Sequence, residues 1–264
     1  VLVELKCRVH NIGKASEGWA EKISPWETVT YEHEENDTSV SYHFDDAADG
    51  YDTRNITIER EQGGKKKEFT MELYGQPQYG WIVMTDDGHP YLYTEIQSEN
   101  DWRTMEVFDL KGEEIRHVGT SNDSPHDALL NDPDGFYLTR RVDALGTYDA
   151  YRKFHVGESG MPVAENDVYT KVNVCDSKED EAVLVSTREL PVTMMEADGS
   201  EKEEKLPVGT KYYVRATDLE NFVDMELSDG RRCRLAVKKS DKGWGFEIDG
   251  VYEEDCFEFI PYAG

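Results

Sequence analysis

Residues 222–237 read Phe222-Val223-Asp224-Met225-Glu226-Leu227-Ser228-Asp229-Gly230-Arg231-Arg232-Cys233-Arg234-Leu235-Ala236-Val237. Val223, Met225 and Leu227 alternate with polar neighbours before Asp229-Gly230, and Cys233, Leu235 and Val237 alternate after it. Successive strand side chains point to opposite faces, so this alternation buries one face and wets the other. Asp-Gly between two such runs supplies the positive φ angles of a tight turn. The stretch predicts a hairpin, the cleanest in the chain.

The same pattern extends outward. Val40, Tyr42 and Phe44 alternate with Ser41 and His43; Ile56 and Ile58 flank Thr57; Phe69, Met71 and Leu73 alternate with Thr70 and Glu72; Tyr212 and Val214 begin another run. Asp-Gly recurs at Asp49, Asp87, Asp134, Asp198, Asp229 and Asp249. Met105–Val118 forms a further hairpin, with Phe108-Asp109-Leu110-Lys111-Gly112 at its turn. No segment of helical length has a helical period; short helical turns are expected near Ser124–Leu130 and Glu253–Phe257. An all-β protein follows, with at least about 40% strand against a usual quarter. Repeats at the spacing of propeller blades are missing.

The chain has 264 residues, with 29 Lys+Arg against 56 Asp+Glu and a net charge of −27. Only 38% of residues are hydrophobic, yet 15 Tyr, 9 Phe and 5 Trp separate the chain from disordered sequences, which are poor in aromatics. The excess of acid is not a tail: residues 181–264 carry 11 basic and 19 acidic side chains, and the rest carries 18 and 37. A solvated acidic surface is the reading, and it argues against nucleic acid as a partner because phosphate polymers are repelled at long range. No apolar run nears the ~20 residues of a membrane span. The opening Val1-Leu2-Val3-Glu4 reads like the inside of a strand, so an upstream signal or lipoprotein leader is expected. Cys7, Cys175, Cys233 and Cys256 form no C-x-x-C pair, and buried free thiols are the expectation.

The polar stretch Asn173–Glu181 suggests a boundary, giving an antiparallel β domain of unknown type over 1–176 and a compact set of strands over 181–264. The second part runs Leu206-Pro207-Val208-Gly209-Thr210, a strand at Tyr212–Ala216, the 222–234 hairpin, Phe246-Glu247-Ile248-Asp249-Gly250, a turn at Glu253-Glu254-Asp255-Cys256, and Tyr262-Ala263-Gly264. This order resembles the bacterial SH3-like domains appended to secreted and surface-anchored proteins of Gram-positive bacteria. Asp198–Lys205 would then be the long loop after the first strand, and Asp229-Gly230 the distal hairpin. The whole chain bears a distant similarity to uncharacterised secreted or lipoprotein-type proteins of that group. The resemblance implies a small SH3-like β-barrel over 181–264 and an extracellular or cell-surface-anchored setting. Such barrels host cell-wall binding, peptide binding and structural roles, so the fold does not give the function.

Motifs that carry chemistry fail on inspection. An EF-hand-like loop from Asp45 has Ile56 where a bidentate Glu belongs. His33-Glu34-Glu35 lacks the second histidine of a metalloprotease helix, and Gly157-Glu158-Ser159-Gly160 is one residue short of a nucleophile elbow. Gly63-Gly64-Lys65-Lys66-Lys67 is a basic hairpin tip rather than a phosphate loop. Cell-wall peptidases with SH3-like domains carry an Asp-Cys-Ser-Gly-type nucleophile; neither Cys175 nor Cys256 matches it. His43 and His155, beside aromatics, read as half-buried strand residues. Arg140–Asp143 and Tyr148–Arg152 read as hydrogen-bonding caps.

Aromatics give the one positive hint. Trp244, Phe246, Tyr252 and Phe257 gather late in the SH3-like segment. A small core takes several, but Trp and Tyr left at the surface bring large contact area with a polar tip. Trp244 and Tyr252 are therefore the candidate ligand-binding residues. No catalytic residue, metal ligand or cofactor is assigned. The leading reading is a non-catalytic extracellular or cell-surface protein that binds a peptide or cell-wall glycopeptide. The alternatives are a glycan or peptide hydrolase whose carboxylate pair is not identified, and a scaffold subunit docking another protein.

Overall fold

The computed structural model describes residues 7–9, 18–33, 36–45, 52–125, 132–172, 181–241 and 243–263. The chain is all-β, 61% strand, and contains no α-helix among the described residues. A 3-10 turn at Glu253–Asp255 meets the expectation of a short helical turn there; most of Ser124–Leu130 lies outside the described residues. By internal contacts the chain forms two units, Val1–Thr139 with Lys153–Glu165, and Arg140–Arg152 with Asn166–Gly264. The second unit is thus larger than 181–264, because 140–152 and 166–172 make their contacts with it.

The first unit holds two five-stranded sheets. One runs in the order Cys7–Val9, Thr28–His33, Asn36–Phe44, Thr53–Gln62, Lys65–Tyr74, antiparallel except for its first pair. The other runs Arg116–Ser121, Arg103–Asp109, Pro90–Gln97, Gln76–Met84, Trp19–Ile23, antiparallel throughout. Val40, Tyr42, Phe44, Ile56 and Ile58 of the first sheet share a core with Ile82, Leu92, Ile96 and Phe108 of the second. The opposite face of the second sheet is buried too: Trp81, Val83, Tyr91, Tyr93 and Val107 pack with Phe136, Leu138 and Phe154. Burial on both faces explains why Trp81–Met84 reads as an unbroken apolar run whereas Asn36–Phe44 alternates.

In the second unit, Ala150 and Tyr151 pair with Lys171 and Thr170, and the sheet continues through Tyr169–Lys171, Lys211–Thr217, Phe222–Leu227, Arg232–Ala236, Leu190–Met195 and Glu201–Leu206. The 222–237 hairpin forms in the expected register, Met225 opposite Cys233 and Val223 opposite Leu235, with all four fully buried. The closed barrel expected over 181–264 is not formed: none of the sheets closes on itself. Two features keep it open. Lys211–Thr217 gives its free edge to Leu184–Val185 and Tyr169–Lys171 instead of to a closing strand. At the far edge, Glu201–Lys205 is almost wholly exposed Glu and Lys, and charged edges resist further pairing. Cys233 and Cys256 are both free and buried; burial pushes the Cys233 thiol up to about 12. Cys175 lies outside the described residues.

Four of the Asp-Gly turns fall into two kinds, whereas Asp134-Gly135 has no positive φ and its glycine amide bonds the Asp132 carbonyl at 3.3 Å; Asp49-Gly50 lies outside the described residues. At Thr85–His89, Glu196–Ser200 and Leu227–Arg231 the first residue's amide bonds the fifth residue's carbonyl (3.1, 2.9 and 2.8 Å), and the glycine amide returns to the first carbonyl (2.8, 3.0 and 2.9 Å). Only the glycine has positive φ there, +75, +82 and +88°, as in three-residue hairpins with a bulge. At Asp249-Gly250 both residues have positive φ, 52 and 74°, and Ile248 faces Val251 across a two-residue turn.

Candidate functional site

The site lies in the second unit, on a three-stranded sheet of Lys238–Lys239, Phe246–Ile248 and Val251–Tyr252, followed by the Glu253–Asp255 turn. Pleating sends Phe246 and Ile248 into the core. Trp244 has the same parity and would follow them, but Gly243 and Gly245 on either side have φ of +102 and +72°. These two left-handed residues take Trp244 off the pleat, and it stands 54% exposed. Its ring meets Tyr262 edge-on at 5.2 Å and Tyr252 at 6.3 Å.

Glu253 lies fully buried beside these rings. The Tyr262 hydroxyl donates to its Oε1 at 2.6 Å, while Oε2 is buried with no hydrogen-bond partner. Burial pushes the Glu253 carboxyl above its ordinary range; the Tyr262 hydroxyl and the Phe246 amide oppose the shift, and the charge of Glu254 adds to it. Tyr262 is raised in turn, by burial first and then by its bond to Glu253. Gly245 is required for space as well as for φ: a Cβ there would sit 2.5 Å from Glu253 Oε1 and 2.9 Å from the Tyr252 hydroxyl. The bare backbone at Gly245 thus packs directly against the carboxylate and the Tyr252 tip.

The structure brings the two sequence candidates, Trp244 and Tyr252, together. It separates them from the other members of the sequence cluster, since Phe246 and Phe257 are core residues. Tyr212 and Tyr213 are buried as well. The sequence reading missed Tyr262, isolated in the Pro261-Tyr262-Ala263 tail, and Glu253, one carboxylate among many. The Gly-Trp-Gly triplet was the one available signal that Trp244 leaves the pleat. His43 and His155 are half-buried strand residues, as expected, and His43 stacks on exposed Trp26 at 4.3 Å. In the Arg140–Arg152 region, Arg152 lies over the Tyr169 ring at 4.2 Å and Arg141 donates to the Ala263 carbonyl at 3.1 Å.

A buried carboxylate with an unused oxygen, edged by three electron-rich rings, favours a cation. Ring faces attract ammonium and guanidinium groups, most strongly for Trp, and a desolvated carboxylate gains from any counter-charge. Comparison with family models, with curated proteins and with solved structures finds no match to this chain.

Proposed function

We propose that this chain is a non-catalytic binding protein of the cell surface or extracellular space that holds an ammonium-bearing peptide or cell-wall glycopeptide at Trp244, Tyr252, Tyr262 and Glu253. The observation that carries the reading is the partnerless Oε2 of a fully buried Glu253 beside an exposed tryptophan. Ionised and without a counter-charge, that carboxylate is costly; a ligand ammonium offsets the cost, while the indole face and the tyrosine edges hold the alkyl stem. The net charge of −27 adds long-range attraction for cationic ligands, screened over a Debye length of about 8 Å at physiological salt.

The test is a fluorescence titration of the full chain with purified cell-wall fragments and with lysine-rich peptides. Trp244→Phe identifies the responding tryptophan. A saturable change that weakens with salt and disappears in Trp244→Phe and Glu253→Gln is expected. Silence towards every one of these ligands would favour the scaffold reading instead.

A further inference from the structure

The hairpin of Thr53–Gln62 and Lys65–Tyr74, in the first unit, changes character along one face. Ile56 opposite Met71 and Ile58 opposite Phe69 belong to the core; the next pairs on that face are Arg60 opposite Lys67 and Gln62 opposite Lys65. A face leaving the core would be expected to end in water. Arg60 instead is only 5% exposed. Its guanidinium reaches the loop after strand Arg103–Asp109, donating from Nη1 to the Leu110 carbonyl and from Nη2 to the Gly112 carbonyl at 2.7 Å. Both acceptors are neutral, and Nε is buried with no partner. A buried guanidinium held only by carbonyl dipoles lacks the counter-charge that such a group ordinarily has.

The space beside it is a cavity of about 330 Å³ lined by Arg60, Lys65, Lys67, Lys111 and Glu113, among others. Lys67 is tied to Glu114 at 2.8 Å. Lys65 and Lys111 are exposed and make no salt bridge within 4 Å among the described residues, although Asp87, lowered first by its bond from Thr85, is lowered also by the charge of Lys111. Four cations around one cavity, in a chain with 56 acidic side chains, is an arrangement that a merely solubilising surface does not need. The volume is at the small end of ligand pockets, which run from about 300 to 1,000 Å³.

We infer that this cavity binds a small, multiply charged oxyanion, of phosphate or polycarboxylate type, with Arg60 as its buried anchor and Lys65 and Lys111 closing over it. The planar guanidinium suits oxygen pairs, and the two lysines act as movable point charges. Lys65 and Lys67 of the Gly63–Lys67 tip, which fails as a phosphate loop, then have a role as walls of this site.

Isothermal titration of the full chain with pyrophosphate and with citrate, at constant ionic strength set by sodium chloride, tests the inference. Saturable binding is expected, weakened about tenfold or more in Lys65→Gln/Lys111→Gln, since each charge-assisted bond lost costs roughly that factor. Both lysines are exposed, so circular dichroism and melting should be unchanged in that variant. Arg60→Gln should abolish binding, but the double lysine variant decides the matter if Arg60→Gln misfolds. Tighter binding of pyrophosphate or of citrate assigns the site to phosphates or polycarboxylates. No saturable heat with either ligand, or equal affinity in the double variant, overturns the inference.

Discussion

Arg215 and Glu181 meet fork to fork: Nη1 donates to Oε1 and Nη2 to Oε2 at 3.1 Å, while Arg215 Nε donates to Glu226 at 3.1 Å. Lys171 donates to the same Glu181 carboxylate at 3.0 Å. Glu181 therefore couples the strand Tyr169–Lys171, on the other side of the stretch read as a boundary, to the strand Lys211–Thr217. Burial alone would raise its pKa, but the hydrogen bonds from Arg215 and Lys171 prevail and hold it below the ordinary carboxylate range. A lowered folded pKa contributes stability that is present above the unfolded value and lost as pH falls through the folded one. Glu181→Gln should cost about 1–2 kcal/mol at pH 7 after allowance for partial solvent screening. The difference from the parent should shrink as pH falls below the unfolded carboxylate pKa of about 4.3 and vanish only below the lowered folded value. Urea melts at pH 7 and pH 3.5 measure both; an equal deficit at the two pH values would exclude the ion-pair account.

The second prediction concerns the fragment 181–264, which its strand pattern alone suggests as an independent domain. The second unit's core also contains Val142, Ala144, Leu145, Ala150 and Tyr169, all buried. Each buried side chain of that size stabilises by about 1.5–3 kcal/mol, and alanine by less, so the loss of the three larger ones alone, about 4.5–9 kcal/mol, is comparable with a typical margin of about 5–15 kcal/mol. Expressed alone, 181–264 should give collapsed amide resonances and no cooperative melt. A cooperative melt of that fragment would show that the preceding strands are dispensable.

Much of the fold can be read from period-two alternation because most strands have one wet face. The hairpins 53–74 and 222–236 and the pairing of Arg103–Asp109 with Arg116–Ser121 follow from it directly. Strand order does not: Trp19–Ile23 pairs with Gln76–Met84 across a long intervening sequence, and nothing in either stretch names its partner. Barrel closure fails for the same reason, since the edge of Lys211–Thr217 is taken in part by Tyr169–Lys171, from before the apparent boundary. At the site, the exposure of Trp244 depends on the φ angles of two glycines, which a sequence only hints at. Glu253 is invisible among the chain's carboxylates because the groups packed on its carboxylate, the Tyr262 hydroxyl and the Gly245 backbone, lie in separate stretches of sequence.

Asp218 organises the tight connection between Lys211–Thr217 and Phe222–Leu227. Its Oδ1 accepts the amides of Glu220 (3.1 Å), Asn221 (2.8 Å) and Phe222 (3.0 Å), and Oδ2 accepts the Asn221 side chain at 2.8 Å. Leu219, inside the turn, is held at φ +69°, a conformation that a branched side chain adopts only under constraint. Burial pushes the carboxyl up, but these bonds outweigh it and the pKa is lowered. Asp218→Ala should lose about 1–2 kcal/mol, the worth of charge-assisted bonds reduced by solvent. Asp218→Ala/Leu219→Gly should recover part of it by relieving the backbone. Thermal melts of the three proteins decide; no recovery in the double variant would exclude strain at Leu219.

The last prediction uses the opposite sign of shift at Glu253. Its folded pKa is raised, so the folded state holds the proton more tightly than the unfolded chain. Stability is then greatest below the unfolded carboxylate pKa of about 4.3 and declines as pH rises towards the folded value. Glu253→Gln keeps an oxygen for the Tyr262 hydroxyl and removes the ionisation, so its stability curve should lack that decline. The melting temperature of the parent should fall relative to the variant by about 2–4 °C for each kcal/mol involved as pH goes from 4 to 7. A saturating lysine-rich peptide should restore the parent at pH 7 and leave the variant unmoved, because only the ionised carboxylate gains from an ammonium. Parallel curves without ligand would show that Glu253 does not change protonation on folding. Equal stabilisation of both proteins by the peptide would place the ligand elsewhere.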